Sequence, residues 1–334
     1  MWRQSGIVRG EEGRRVLTSI DTSQGGEPLT HQGLLYRSQE EFLAGTVPFV
    51  RAGLEHGDPI WVVTTVRNAG WLRVALGADA RRVVFGDCSQ WYRHPVRALA
   101  ALYRAVSVAA DGKRLRMIGE PLWMARIEQE GSERARYESL VNVALASANA
   151  SFVCAYDARV VDSKVVDQVA RTHPEMVVDG GAQPSTSYTD PAVFNAECDK
   201  SPLLEPPPTA LRLPFDRLGQ LAPLRAFMTS YATWAGAVPQ SVKRFVQALD
   251  EVATNAIEHG DGTRVVRIWT RPRSMVCEVT DTGTGLHDPL AGHLPPRPGR
   301  AGGCGLWLAR QFCDLVEMRS DMTGTTVRLH LYLP

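Results

Sequence analysis

Residues 250–260 read DEVATNAIEHG, a spacing that places Glu251, Asn255 and His259 one helical turn apart. At about 100° per residue, Phe245, Leu249, Val252, Ala253 and Ala256 share one face, so this helix should lay an apolar side against a sheet. Glu251 and Asn255 fall together on an adjoining face, where a carboxylate and an amide can border a cavity or meet solvent. Gly260 reads as a helix stop, with His259 suited to the negative end of the helix dipole.

Three further signals follow in order. TDTGTGL, residues 280–286, puts Asp281, Gly283 and Gly285 directly after a strand-like run. Alternate glycines let backbone approach a planar or anionic ligand, and a carboxylate at a strand end can accept from an exocyclic amine. GGCGLWLARQF, residues 302–312, sets Gly303, Gly305 and Leu306 at the start of a helix, where free N–H groups and the dipole favour phosphate. TGTTVRL, residues 323–329, brings Thr325 and Thr326 to the entry of a last strand. Singly each is an ordinary turn or helix start; the ordered set between 251 and 326 is specific.

The order E-x-x-x-N, D-x-G-x-G, G-x-G-L and G-T-T resembles the boxes of the GHKL (Bergerat-fold) ATPase superfamily. ALDEVATNAIEHG and GTTVRL are most similar to its anti-sigma-factor serine/threonine kinases. The resemblance implies Mg-ATP held under a lid between the two glycine boxes. It implies that Asn255 ligates Mg2+, Glu251 acts as base or orienter for the attacking hydroxyl, and Asp281 accepts from the adenine amine. Gly283, Gly285, Gly303, Gly305 and Leu306 would close on nucleotide, with Thr326 on the adenine side and Arg225 near the phosphates or the partner. The partners so implied are a sigma factor and an anti-anti-sigma (STAS) protein. The lid sequence carries only Arg297 and Arg300 as cations, so a non-catalytic ATP-dependent sequestering protein stays open beside the kinase. A sensor histidine kinase is disfavoured, because proline-rich residues stand where its dimerisation helices belong. A G-x-x-x-x-G-K-[ST] phosphate loop is absent from the sequence.

At 334 residues the chain exceeds one typical core, and about 44% apolar with 22% charged residues is a globular profile. A net charge of +1 argues against direct nucleic-acid binding. Six cysteines without C-x-x-C spacing argue against a disulfide framework or zinc ribbon. With no apolar run of roughly 18 residues and no signal-like start, no membrane is expected and the location reads as cytoplasmic.

In the first half, PIWVVTTV (59–66), RRVVFGD (81–87), RLRMIGEP (114–121) and SFVCAYD (151–157) are strand-like. They alternate with helical stretches, one opening at Ser38 with Glu41 in capping-box spacing and another at Ser132. This predicts a doubly wound, mainly parallel α/β domain over 30–191, after a disordered tail at 1–29. A Pro-rich linker is expected over 192–212. Residues 213–334 should form an α+β domain with helices on one face of a mixed sheet, its last strand exposing Arg328 and His330.

HQGLLYRSQEEFL, VVFGDCSQWYRHP, IGEPLW, YESLVN, CAYD, THPEM and SYTDP resemble the MEDS sensory domain, which implies a RecA-like unit responding to an unknown small ligand. His31, Tyr92, Glu120, Trp123, Glu138, Asn142, Cys154 and Tyr156 are polar or aromatic candidates there. His31 and Cys154 could share a metal, although nothing in their spacing argues for it. A homodimer is left open.

Overall fold

The computed structural model describes residues 28–92, 95–108, 113–121, 128–200, 202–286, 288, 290–293 and 304–334. The first sheet contains β1 (Thr30–Tyr36), β2 (Ile60–Thr64), β3 (Val83–Asp87), β4 (Leu115–Gly119), β5 (Ala150–Asp157), β6 (Glu175–Val178) and β7 (Gly181–Pro184). Its order is β3-β2-β4-β5-β1-β6-β7, parallel throughout except for the β6–β7 hairpin.

Helices cover both faces of this sheet. On one side α1 (Gln39–His56) and α2 (Val66–Leu76) pack on Leu34, Val62, Ile118 and Val153. A short α3 (Cys88–Trp91) then leads to α4 (Pro95–Val108) and α5 (Glu128–Ala144), which pack on Val63, Met117 and Phe152 from the other side. The burial is two-sided because neighbouring β5 residues, Phe152 and Val153, point into opposite cores. α6 (Ser163–Thr172) joins the α5 side through Val169.

Local signals explain the boundaries. The Ser38 hydroxyl accepts from the Glu41 amide at 3.2 Å, and α1 ends at Gly57 with φ 68°, a left-handed cap. Ser132, expected as a cap, lies inside α5, which begins four residues earlier at Glu128. About half of the stretch expected as a linker, 192–212, lies in regular elements: α7 (Pro191–Lys200) spans its first part, burying Phe194 and Asn195, and β8 (Leu211–Phe215) begins before its end.

The second sheet joins β8 to β9 (Arg264–Arg271), β10 (Ser274–Asp281), β11 (Leu315–Asp321) and β12 (Gly324–Tyr332) in the order β11-β12-β10-β9-β8. Every pairing is antiparallel, which corrects the mixed sheet expected from sequence. α8 (Leu221–Trp234), α9 (Pro239–Glu258) and α10 (Gly305–Phe312) cover one face. As expected, Phe245, Leu249, Val252, Ala253 and Ala256 of α9 are the buried stripe, the larger side chains each stabilising by ~1.5–3 kcal/mol.

α10 stops at Phe312, and edge strand β11 follows from Leu315. One expectation fails at this sheet's other end. Arg328 and His330 are only 3% and 2% exposed. They stay buried because they are paired: Arg328 Nε donates to Glu278 at 2.6 Å, and His330 Nε2 lies 2.8 Å from Glu317. α5 and α7 lie against β11, so the first domain closes part of this edge.

Candidate active site

Glu251 and Asn255 are half-buried on α9, and the first residue of α10 sits directly on them. A Cβ built on Gly305 would lie 2.9 Å from Glu251 Oε2 and 2.9 Å from Asn255 Nδ2. A glycine at this position leaves both side-chain ends undisturbed while the N-terminus of α10, whose first amides have no partner within the helix, approaches them. Such a set fits Mg2+ and a polyphosphate: an amide oxygen for a hard cation, and backbone N–H groups for the anion.

Asp281 ends β10 on the same face of the sheet. It is 8% exposed, and its Oδ1 accepts from the Gly283 amide at 3.0 Å. Gly260, which follows α9, would bring a Cβ to 2.8 Å from Asp281 Cγ. α9 ends just before it, as the sequence suggested, but its φ lies outside the left-handed region, so its smallness serves to make room for Asp281. Gly283 packs on the same corner, 2.7 Å from the Asp261 amide when given a Cβ. Gly285, at φ 76°, turns instead toward the Asp321 carbonyl in the β11–β12 turn.

The β10–β12 register separates the two threonines. Asp281 pairs with Thr325, and Thr280 with Thr326. Directly opposed residues share a face, so Thr325 faces the α9 side with Asp281. Thr326 lies on the reverse face, 3.3 Å from Thr280 Oγ1. The sequence brings both threonines to the strand entry and the resemblance gives the adenine side to Thr326, whereas the register sets Thr325 on the face of Asp281, beside Gly324, whose Cβ would strike the Asp281 carbonyl. The parity of the G-T-T box against its partner strand separates the two.

Leu306 is half-buried beside the helical core and touches Gly292. Arg225, on α8, pairs with Asp250 at 2.6 Å, next to Glu251 in the chain; at 43% exposed the pair contributes little stability. Gly303, Arg297, Arg300 and Trp123 lie outside the described residues.

The first domain reaches this site through α10. Arg97 of α4 donates to the carbonyls of Gln311 at 2.9 Å and Cys313 at 3.3 Å, filling acceptors that the helix end leaves open. Arg310 Nη1 reaches Glu133 of α5 at 3.3 Å and the Val316 carbonyl at 3.0 Å. Glu133 also holds Arg136 at 3.2 Å, and Arg136 binds Asp199 of α7 at 2.7 Å. Burial draws the Arg310 guanidinium down to about 10, against the opposing pull of Glu133. Leu290, just past the first glycine box, packs on the α4–α5 core, and His293 is buried near this charge cluster. Burial, then Arg310 and Arg136, holds the His293 imidazole well below its usual range.

Among the described residues no helix is long and apolar enough to cross a membrane.

Comparison with known proteins agrees with this division. Residues 30–174 match the MEDS family, the methanogen/methylotroph DcmR sensory domain, and residues 216–331 match the histidine kinase-like ATPase domain. No curated protein matches the chain. Among solved structures it is similar to the RsbU and RsbW domains of a Mycobacterium tuberculosis protein, at 22% identity over 38% of this chain and 33% of that one, with a TM-score of 0.29. It is also similar to the histidine kinase domain of the Erythrobacter litoralis blue-light activated histidine kinase, at 13% identity over 51% and 80% of the two chains, TM-score 0.25. A third is the histidine kinase domain of the Escherichia coli osmosensor EnvZ, at 18% identity over 39% and 92%, TM-score 0.24. The match to the mycobacterial structure thus spans about a third of that chain. The protein joins a MEDS domain to a histidine kinase-like ATPase domain.

Proposed function

We propose that this chain is a cytoplasmic, signal-responsive anti-sigma factor that binds Mg-ATP and phosphorylates a Ser or Thr hydroxyl of an anti-anti-sigma (STAS) partner. The observation that carries the reading is the seat of Gly305 on Glu251 and Asn255, which joins a candidate base, a metal ligand and a helix N-terminus in one place. Asn255 would offer its side-chain oxygen to Mg2+, whose charge offsets that of the phosphates. Glu251 would orient the partner hydroxyl and accept its proton. Asp281, backed by Gly260 and Gly283, would take the adenine amine. The buried contacts of α4 and α5 with α10 support input from the MEDS domain to this site. A RecA-like reading of that domain rests on the order β6-β1-β5-β4-β2, in which β1 leads into α1 through Arg37 and Ser38 without a phosphate loop.

The cation-poor lid sequence favours one second reading, an ATP-dependent protein that sequesters a sigma factor without catalysis. Incubation with γ-labelled ATP and a STAS partner separates the two. The kinase labels the partner at Ser or Thr, and Glu251→Gln lowers the rate by about 10²–10⁴-fold while ATP binding persists. If wild type and variant both bind ATP and neither transfers phosphate, the sequestering reading stands. Acid-labile label on the chain itself would instead identify a histidine kinase.

A further inference from the structure

Remote from the nucleotide site, four chemically reactive side chains meet inside the first domain. His31 is near the start of β1, Cys154 lies in β5, Glu138 projects from α5 and His173 ends α6. In the parallel register His31 pairs with Phe152 and Gly33 with Cys154, so the imidazole and the thiol leave the same sheet face. Glu138 Oε2 is 3.5 Å from His31 Nε2, 3.5 Å from Cys154 Sγ and 3.6 Å from His173 Nε2. His31 Nε2 is 3.4 Å from Cys154 Sγ. All four groups are buried, with one donor atom from each within 4.8 Å of the others.

Their outer partners settle where the protons are. Asn142 donates Nδ2 to the carbonyl of Thr172 at 2.7 Å, which turns its Oδ1 toward His31 Nδ1 at 2.9 Å. His173 Nδ1 lies 2.8 Å from the Val169 carbonyl, an acceptor only. Both rings therefore carry the proton on Nδ1 and aim an Nε2 lone pair inward. His173 Nε2 and Glu138 Oε1 have no hydrogen-bond partner although fully buried. Buried, inward-facing acceptors left without a donor are costly unless something positive sits among them.

We propose that His31 Nε2, His173 Nε2, Cys154 Sγ and the Glu138 carboxylate bind one zinc ion. A tetrahedron with metal–nitrogen bonds of about 2.0–2.1 Å and a metal–sulfur bond of about 2.3 Å has edges of roughly 3.3–3.7 Å. Four of the six donor-to-donor edges, at 3.4 to 3.6 Å, are of that length, and the other two are within 4.8 Å. One thiolate and one carboxylate balance a divalent charge, the thiol proton leaving to solvent as the metal enters. Sulfur and imidazole select a borderline-soft cation over magnesium or calcium. Nδ1 hydrogen bonds to a carbonyl or an amide oxygen are the outer contacts that ligating histidines make. With four protein donors the site is closed, of the structural type, and ties β1, β5, α5 and the α6–β6 junction together. It concerns the MEDS domain alone and is independent of the kinase proposal.

The test uses the full chain, purified without immobilised-metal resin and measured by plasma mass spectrometry. Expected is about one zinc per chain. After exchange, cobalt should give thiolate-to-metal charge transfer and intense tetrahedral visible bands. Cys154→Ser removes the charge-transfer band, and Asn142→Ala, which leaves all four donors in place, weakens metal binding by about 10–100-fold. A folded wild-type chain that holds no zinc and gives no cobalt spectrum overturns the proposal, as does full metal retention in a folded Cys154→Ser, His173→Gln double variant. Should those variants not fold, the wild-type cobalt spectrum decides by itself.

Discussion

Arg310 and Glu133 form a buried ion pair across the two domains, 3.3 Å apart, with the arginine on the same helix that begins at the second glycine box. A buried charge that loses its partner is left desolvated, which costs about 3–5 kcal/mol. Glu133→Ala should therefore destabilise the protein by that amount in urea unfolding. Adding Arg310→Met should restore more than half of the loss, since the uncompensated cation is gone. A single variant within about 1 kcal/mol of wild type would show that the interface is solvated.

Gly305 is the glycine of the nucleotide site that sits on the two functional side chains. A methyl group there comes within 2.9 Å of Glu251 Oε2 and Asn255 Nδ2, so both side-chain ends must turn away from the place assigned to metal and nucleotide. Overpacking of this kind costs about 1–3 kcal/mol, or roughly tenfold or more in affinity. Calorimetric titration of Gly305→Ala with Mg-ATP should show that loss. Gly70→Ala, in a helix where a Cβ meets nothing within 4 Å, should bind ATP as wild type does.

The threonine pair gives a prediction in which strand parity decides. Thr325→Val should weaken ATP binding, because Thr325 shares a face with Asp281. Thr326→Val, on the reverse face with Thr280, should leave binding within about twofold. Equal effects in the same titration would mean that the β10–β12 register is shifted.

Asn255→Ala removes the side-chain oxygen assigned to Mg2+. Binding of Mg-ATP should fall below calorimetric detection while the melting temperature stays close to wild type. Unchanged affinity would sink the assignment.

His293 supplies a pH dependence with a definite sign. Its folded-state value is depressed, whereas the unfolded chain titrates near 6.5. As pH falls below about 6.5 the unfolded state takes up a proton that the folded state refuses, so stability declines, by up to about 1.4 kcal/mol per pH unit. The groups facing His293 are Arg310 and Arg136, both cationic, and Glu133 behind them partly offsets their repulsion. Urea titrations between pH 7.5 and 5.5 should show a shallower slope in His293→Asn than in wild type.

The nucleotide boxes were legible because helix and turn chemistry is local. The α9 stripe, the carboxylate at the end of β10 and the glycine at the start of α10 can all be read within a few residues of themselves. The strand alternation told which side of β12 faces the helices, and missed that the other side is also closed. That closure depends on Glu278 and Glu317, supplied by other strands, and on α5 and α7 lying against β11. α7 escaped for a similar reason. Its buried residues, Phe194 and Asn195, are held by contacts far away in sequence, with Arg136 reaching the Asn195 side chain at 3.2 Å. The four-donor cluster was the least legible. Residues 31, 138, 154 and 173 have no ligand spacing, and only the pairing of β1 with β5 and the packing of α5 and α6 bring them together.

The attachment of α10 to its neighbour bears on how the protein is to be dissected. Residues 216–331, cut free at the family boundary, would leave the Arg310 guanidinium without its counter-anion, the carbonyls of Gln311 and Cys313 without Arg97, and Leu290 bare. The stretch that matches the ATPase family is therefore shorter than the stretch that packs as one, and constants measured on such a fragment would describe a helix that has lost two of its moorings.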